Sequence, residues 1–271
     1  MDSYEGFAEM YDALMADTPY ENWAAYIDGA LYEWFKDVKR ENFASVAEEK
    51  NQSNNRDNIT VLDLACGTGS ITLRLAEMGY DMIGVDISED MLAQAQMKTS
   101  QFATNLFKKI LFLKQDVRKL DLYGTVDAAV CVCDGLNYIL TDEDLLEVFK
   151  RVRLFLNPGG IFIFDMNTEY KFNEMFGGQI FEGRGDNGEA YEWENVYDAA
   201  TRINEYRVTF FSLENDGTVP FEETHRQRAY PPADVCNMLS EAGFATVATR
   251  DGYTSQPLHA QSERVVYIVG G

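Results

Sequence analysis

The chain has 271 residues, 46% of them hydrophobic, enough to bury one large core or a core with a small appendage. Its 45 Asp and Glu against 23 Lys and Arg leave a net charge of −22, which repels polyphosphates at long range and removes the basic surface that supplies most nucleic-acid affinity. No apolar run reaches the roughly 18 residues of a membrane span, and the acidic start of the chain lacks the basic character of a secretory leader.

In chain order, residues 1–43 read as a helical, aromatic-rich arm. Tyr4, Phe7, Met10, Tyr11 and Leu14 fall at helical spacing, and Thr18-Pro19 opens a second helix carrying Tyr20, Trp23 and Tyr26. Residues 44–58 are polar and read as a linker or a frayed helix end. Ile59 to Leu64 is a buried strand running into Ala65-Cys66-Gly67-Thr68-Gly69, then a helix from Ser70. A second strand from Tyr80 ends in Asp86, 17 residues past Gly69, and a third, Ile110 to Gln115, is closed by Asp116-Val117. A fourth, Val126 to Cys133, leads into Asp134-Gly-Leu-Asn-Tyr138. Then come a helix from Asp142, a turn at Asn157-Pro-Gly-Gly160 and a fifth strand, Ile161 to Asp165.

Some 60 residues separate the fifth strand from the next helix, far more than an ordinary loop. Tyr191 to Tyr197, Arg202 to Leu213 and Phe221 to Tyr230 are β-rich, with Gly183 to Gly188 and Asn215-Asp-Gly217 as punctuation. They predict an antiparallel lid over the strand ends. Pro231-Pro232 opens a helix capped by Gly243, and Phe244 to Arg250 and Arg264 to Val269 make the last two strands.

A glycine-rich turn at the carboxyl end of a parallel strand is where open α/β sheets bind ligands. A dinucleotide fingerprint wants a third glycine where this chain has Thr72. Asp63, inside the strand end, is a poor neighbour for a diphosphate and a good one for an ammonium group. A nucleoside ligand with an amino-acid tail and no phosphate fits better.

Asp63-x-Ala65-x-Gly67-x-Gly69 resembles the first motif of class I S-adenosylmethionine-dependent methyltransferases, with alanine in place of the usual first glycine. Asp86 and Asp116-Val117 follow in the family's order. The opening Phe7-Ala-x-x-Tyr11-Asp, Pro19-Tyr20-x-x-Trp23, Phe164-Asp165-Met-Asn167-Thr-x-Tyr170 and Glu223-x-His225-x-Gln227-Arg228-x-Tyr230 resemble a bacterial methyltransferase family whose substrates are mostly unassigned. The resemblance implies a Rossmann-like α/β fold. Its sheet has seven mostly parallel strands with helices on both faces, and a small antiparallel β lid is inserted after strand five. It implies an arm at 1–43, a cofactor-binding domain at 44–167 and 231–271, and a lid at 168–230.

The same resemblance implies methyl transfer from S-adenosylmethionine, with S-adenosylhomocysteine as product, and roles for particular residues. Asp63, Ala65 and Gly67 line the methionine part and Gly69 allows the turn. Asp86 takes the ribose with Ile87 beside the adenine, Asp116 and Val117 take the base, and Cys133 sits near the sulfonium. Tyr11, Tyr20 and Trp23 either close over the cofactor or simply pack the arm onto the domain.

Tyr138 and Asn137 stand where an acceptor enters. His225 is the lid's candidate general base; between Arg226 and Arg228 it can equally be a structural residue or an anion contact. The expected acceptor is a small molecule, with a protein side chain, RNA or a non-catalytic cofactor sensor as alternatives. Lys98, Lys108, Lys109, Lys114, Arg118 and Lys119 read as a solvated edge, and Asp134 to Tyr138 lacks the prolines of base-amine methyltransferases, so nucleic acid is disfavoured. Four cysteines and two histidines show no metal-site spacing; they read as buried thiols in a reducing cytoplasm, with no metal.

Overall fold

Strands buried on both faces have almost no polar side chains, and the run Val61-Leu-Asp-Leu64 places its strand at the middle of a sheet. The computed structural model describes residues 8–43, 56, 58–100, 110–184, 190–214 and 217–271. The arm's Tyr4 and Phe7, nearly all of the polar linker, Lys108 and Lys109, and the turn residues 185–188 and 215–216 lie outside the described residues.

Strands β1 (Thr60–Leu64), β2 (Asp81–Asp86), β3 (Ile110–Lys114), β4 (Val126–Cys131) and β5 (Leu156–Asn167) run parallel. β11 (Arg264–Gly270) pairs antiparallel with β5, and β10 (Thr246–Asp251) antiparallel with β11. The spatial order is β10-β11-β5-β4-β1-β2-β3. Chain order reverses between β1 and β4, so a crevice opens there at the carboxyl ends.

Helices cover both faces. On one, α2 (Tyr20–Phe43) lays Ala24, Ile27, Leu31 and Phe35 against Val61, Val130, Ile163 and Val266, with α3 (Ser70–Glu77) adding Ile71 and Leu75. On the other, α5 (Asp142–Phe155) and α6 (Pro232–Glu241) pack on Leu62, Leu64, Phe162, Phe164 and Tyr267. The arm expected to cover the cofactor therefore divides. Most of α2 is a layer of the domain, while α1 (Ala8–Leu14) and the first turns of α2 stand beside the crevice.

Three local expectations change. The Asn157–Gly160 turn is a bulge inside β5: Val126 pairs with Leu156 and Ala128 with Ile161. The fourth strand stops at Cys131, because Cys133 (φ 65°) and Asp134 (φ 54°) turn left-handed. The antiparallel sheet has four strands, β6 (Ile180–Arg184), β7 (Ala190–Asp198), β8 (Ile203–Glu214) and β9 (Gly217–Arg228), in sequential order. Gly183, expected as punctuation, lies inside β6 instead. It lets the strand pass the Tyr191 ring, which a Cβ would meet at 2.4 Å.

Register fixes which side chains look inward. Tyr206 pairs with His225, Asn204 with Gln227 and Val208 with Glu223. Glu223, His225 and Gln227 are buried; Glu222, Thr224 and Arg226, which alternate with them, are exposed. This inner face packs on α1 and α4 (Glu89–Ser100) through Val208, Phe210, Ala8 and Met91.

Candidate active site

A cavity of about 500 Å³ opens at the ends of β1, β2, β3 and β4. The turn after β1 forms its floor. Ala65, Gly67 and Gly69 all take positive φ (52°, 54° and 75°). At Gly69 a Cβ would sit 3.1 Å from that of Ala95, so only glycine fits without pushing α4 away.

Each strand-end acid is held differently. Asp63 is buried and accepts the Thr72 hydroxyl at 2.5 Å. Burial, reinforced by nearby Asp86, pushes its carboxyl up to about 7 despite that hydrogen bond. Asp86 accepts backbone N–H groups from Gly67 (2.8 Å) and Ser88 (2.9 Å), which fixes the turn to β2; burial still raises its pKa. Asp116 accepts from the backbone of Arg118 and from its guanidinium (2.6 to 3.0 Å), and that side chain holds its carboxyl below the usual range. Between the acids, Ile87 is 54% exposed on the cavity wall, with Val117 beside it. An open apolar side chain flanked by two carboxylates suits a flat heterocycle carrying hydroxyl and amine donors.

Tyr11 and Tyr20 reach the same wall from the arm. α1 is pinned there: Asp12 accepts from Thr68 Oγ1 at 2.6 Å and from Lys98 Nζ at 2.7 Å, so the helix is tied to the glycine-rich turn and to α4 at once. Trp23 stands one layer back. It stacks on Tyr253 (centroids 4.8 Å apart) beneath the Arg264 guanidinium and is not on the cavity wall.

Cys133 lines the cavity, and burial with Asp134 nearby pushes its thiol up to about 12, so it is a neutral wall rather than a nucleophile. Behind it, Arg264 donates to Asp134 (2.9 Å) and to Asp165, while Gln227 donates to the other Asp134 oxygen at 2.6 Å. Burial alone would raise the Asp134 pKa; Arg264 and Lys171 outweigh it and hold the carboxylate ionised.

Tyr138 carries its hydroxyl from the cavity wall to the lid, touching Tyr206 Oη and lying 3.4 Å from His225 Nδ1. His225 stacks on Tyr206 (5.0 Å, 20° between planes), and its Nε2 is 3.1 Å from Glu223 Oε2. Asn137 is not on the wall. It is fully buried, donates to the carbonyls of Asn167 (3.1 Å) and Arg228 (2.8 Å), and accepts from Asn167 N–H (2.9 Å). The two arginines flanking His225 point away from it: Arg226 faces Glu205 at 3.5 Å, and Arg228 clamps the Leu140 carbonyl and Asp142.

Sequence reasoning missed Thr72 as the partner of Asp63, Asp12 and Lys98 as the arm's fastening, and Tyr206 and Glu223 as neighbours of His225. The period-two spacing of Glu223-x-His225-x-Gln227, three polar residues on one strand face, was the available signal for the last.

A methyltransferase domain family matches residues 61–160, from β1 into the β5 bulge. YqeM of Bacillus subtilis (strain 168), which carries a provisional methyltransferase name, is 35% identical over 97% of this chain and 95% of its own length. A crystal structure of an S-adenosylmethionine-dependent methyltransferase from Clostridium acetobutylicum ATCC 824 superposes with a TM-score of 0.77 at 30% identity, covering 98% of both chains. The glycine/sarcosine N-methyltransferase of Aphanothece halophytica is 26% identical over 97% of this chain and 87% of its own. Similarity of this extent, on a fold whose strand-end acids and glycine-rich turn share one cavity, places the chain in the class I S-adenosylmethionine-dependent methyltransferases.

Proposed function

We propose that the chain methylates a small molecule that enters between Tyr138 and the inner face of the antiparallel sheet. The observation carrying this reading is a single cavity that gathers Asp63, Asp86 and Asp116 with Tyr11, Tyr20 and Tyr138. In it, Asp63, Ala65 and Gly67 line the methionine part of S-adenosylmethionine, and Gly69 gives the turn its shape. Asp86 accepts the ribose hydroxyls, Ile87 and Val117 flank the adenine, and Asp116 accepts from its amine. Cys133 lies towards the sulfonium, with Tyr11 and Tyr20 closing above and Trp23 supporting them.

When bound, the cofactor supplies an electrophilic methyl group on sulfur. The chain's own contribution is positioning and exclusion of water, which in general supply much of the barrier reduction in such transfers. Tyr138 orients the acceptor; His225 stands behind it; Asn137 holds the segment that carries Tyr138 by tying it to β5 and β9.

Several features support a small acceptor. A net charge of −22 opposes RNA, and the Aphanothece halophytica relative is named for small amino acids. We read 1–43 as the arm, 44–167 with 231–271 as the cofactor domain and 168–230 as the lid. The four cysteines are free thiols, which supports a reducing, cytoplasmic setting.

Thermal unfolding with S-adenosylmethionine, S-adenosylhomocysteine or NAD tests the reading. At a hundredfold over its dissociation constant a ligand adds about 2.7 kcal/mol, so the first two should raise the midpoint and NAD should not. An Asp86→Ala chain that still responds fully to S-adenosylmethionine would overturn the ribose assignment.

A further inference from the structure

We propose that the acceptor atom is an amine nitrogen and that Glu223, His225 and Tyr138 form a proton relay that takes the ammonium proton from it. This rests on the reading that the acceptor enters beside Tyr138.

The relay follows from three contacts. The Glu223 carboxylate lies 3.1 Å from His225 Nε2 and so holds the imidazole proton on that nitrogen. His225 Nδ1 is then an acceptor, and the Tyr138 hydroxyl 3.4 Å away is its donor. The Tyr138 oxygen also meets the Tyr206 hydroxyl, and Tyr138 lines the cavity. An acceptor entering that cavity would present its N–H to this oxygen. Glu223 and His225 are both nearly inaccessible to water (8% and 2% exposed), a placement that a solvated surface pair would not have.

Charge on the surrounding wall selects the donor. Arg207, Arg226 and Arg228 all belong to the opposite face of the sheet, where they meet Glu222, Glu205 and Asp142. Between Arg207 and Arg226 the sequence has no other Lys or Arg, and Glu223 brings a carboxylate to the inner face of β9. Lys171 and Arg264 act on the Asp134 carboxylate, and the Lys171 ammonium lies over the Phe176 ring. Such a wall favours a cation over a carboxylate or phosphate.

Proton balance separates an amine from an aliphatic hydroxyl. An alkylammonium gives up its proton to a given base far more readily than an aliphatic hydroxyl does. In the proposed step an N–H bond of the bound ammonium breaks and its proton bonds to the Tyr138 oxygen. The Tyr138 proton passes to His225 Nδ1, and the imidazolium is held by Glu223. The nitrogen lone pair is thereby freed. The product leaves as an N-methylammonium, and the relay returns its proton to water. Tyr138 is the catalytic residue of the three; His225 and Glu223 are positioning residues that act through it.

Sinefungin tests this without knowing the acceptor, because it carries an amine-bearing carbon in place of the methylated sulfur. Calorimetry on the full chain would compare it with S-adenosylhomocysteine. A charge-assisted hydrogen bond should give wild type a preference for sinefungin of about tenfold or more. His225→Asn and Glu223→Gln should bring the two ligands to about equal affinity, with S-adenosylhomocysteine bound as before. A purely structural role would weaken both ligands together. Equal affinities in wild type, or a preference that survives both substitutions, would overturn the relay; the wild-type comparison holds even if a variant fails to fold. Failure of wild type to bind either ligand would instead remove the cofactor assignment beneath it.

Discussion

Asp63 should make the free protein less stable at neutral pH than a chain with asparagine in its place. Its carboxyl is pushed up to about 7 in the fold, first by burial and then by Asp86, against about 3.9 in an unfolded chain. The folded state therefore binds the proton more tightly. The contribution is favourable below the unfolded pKa, is lost as pH rises from about 4 to about 7, and is flat above that. About three pKa units at about 1.36 kcal/mol each make the loss about 4 kcal/mol at pH 8 and less than half of that at pH 5. The group is buried, so solvent screening removes little of this.

An asparagine side chain at this position keeps an oxygen to accept from Thr72 and carries no charge. Urea unfolding of wild type and Asp63→Asn, without ligand, from pH 4 to pH 8 should show the variant gaining up to about 4 kcal/mol at the alkaline end, with the gain shrinking towards pH 4. S-adenosylmethionine affinity should move the other way, falling about tenfold or more in the variant, because an ammonium loses its carboxylate partner. A variant equally destabilised at both ends of the range would refute the reasoning, since Asp63 would then be an ordinary satisfied acid.

Other changes sort fastening from binding. Asp12→Asn should weaken the ties of α1 to Lys98 and Thr68; with both ends of the pair partly exposed the loss is about 1 kcal/mol, read as a severalfold weaker S-adenosylmethionine affinity with an unmoved unfolding midpoint. Asn137→Ala strands buried backbone groups of Asn167 and Arg228 and should cost about 3 kcal/mol of stability, seen as a lower midpoint that cofactor does not restore. Arg264→Met leaves Asp134 and Asp165 facing each other without their cation. It should cost about 3 to 5 kcal/mol at pH 7, with part recovered on acidification as a carboxylate protonates.

The cofactor side was legible because its determinants are short-range. Strand, glycine turn and helix follow one another within about twenty residues, and each acid ends its own strand, so spacing alone brings Asp63, Asp86 and Asp116 to one edge of the sheet. Even there, a residue can be read for what it is not. Thr72 counted against a dinucleotide site for lacking a glycine's smallness, yet its hydroxyl is what Asp63 holds. Trp23 and Tyr20 share one helix three residues apart. Only the packing of Tyr253 and Arg264, more than 200 positions away, sends one of them behind the wall.

The side of the cavity facing the antiparallel sheet was legible in outline and not in detail, and the reason is register. A strand's alternation says that His225 and Arg226 face opposite ways; it does not say which faces the core. That choice is made by β8, where Tyr206 rather than Glu205 meets Tyr138, and by the amide of Asn137, which catches the Arg228 carbonyl and seats β9 against the end of β5. Once β9 is seated this way Glu223, His225 and Gln227 go inward together. There Gln227 meets Asp134, His225 meets Tyr138, and Glu223 meets His225 itself. A one-residue slip would instead bury Arg226 against Tyr138 and expose the histidine. The buried hydrogen bonds of Asn137 therefore fix more than a loop: they determine which side chains of β9 turn inward.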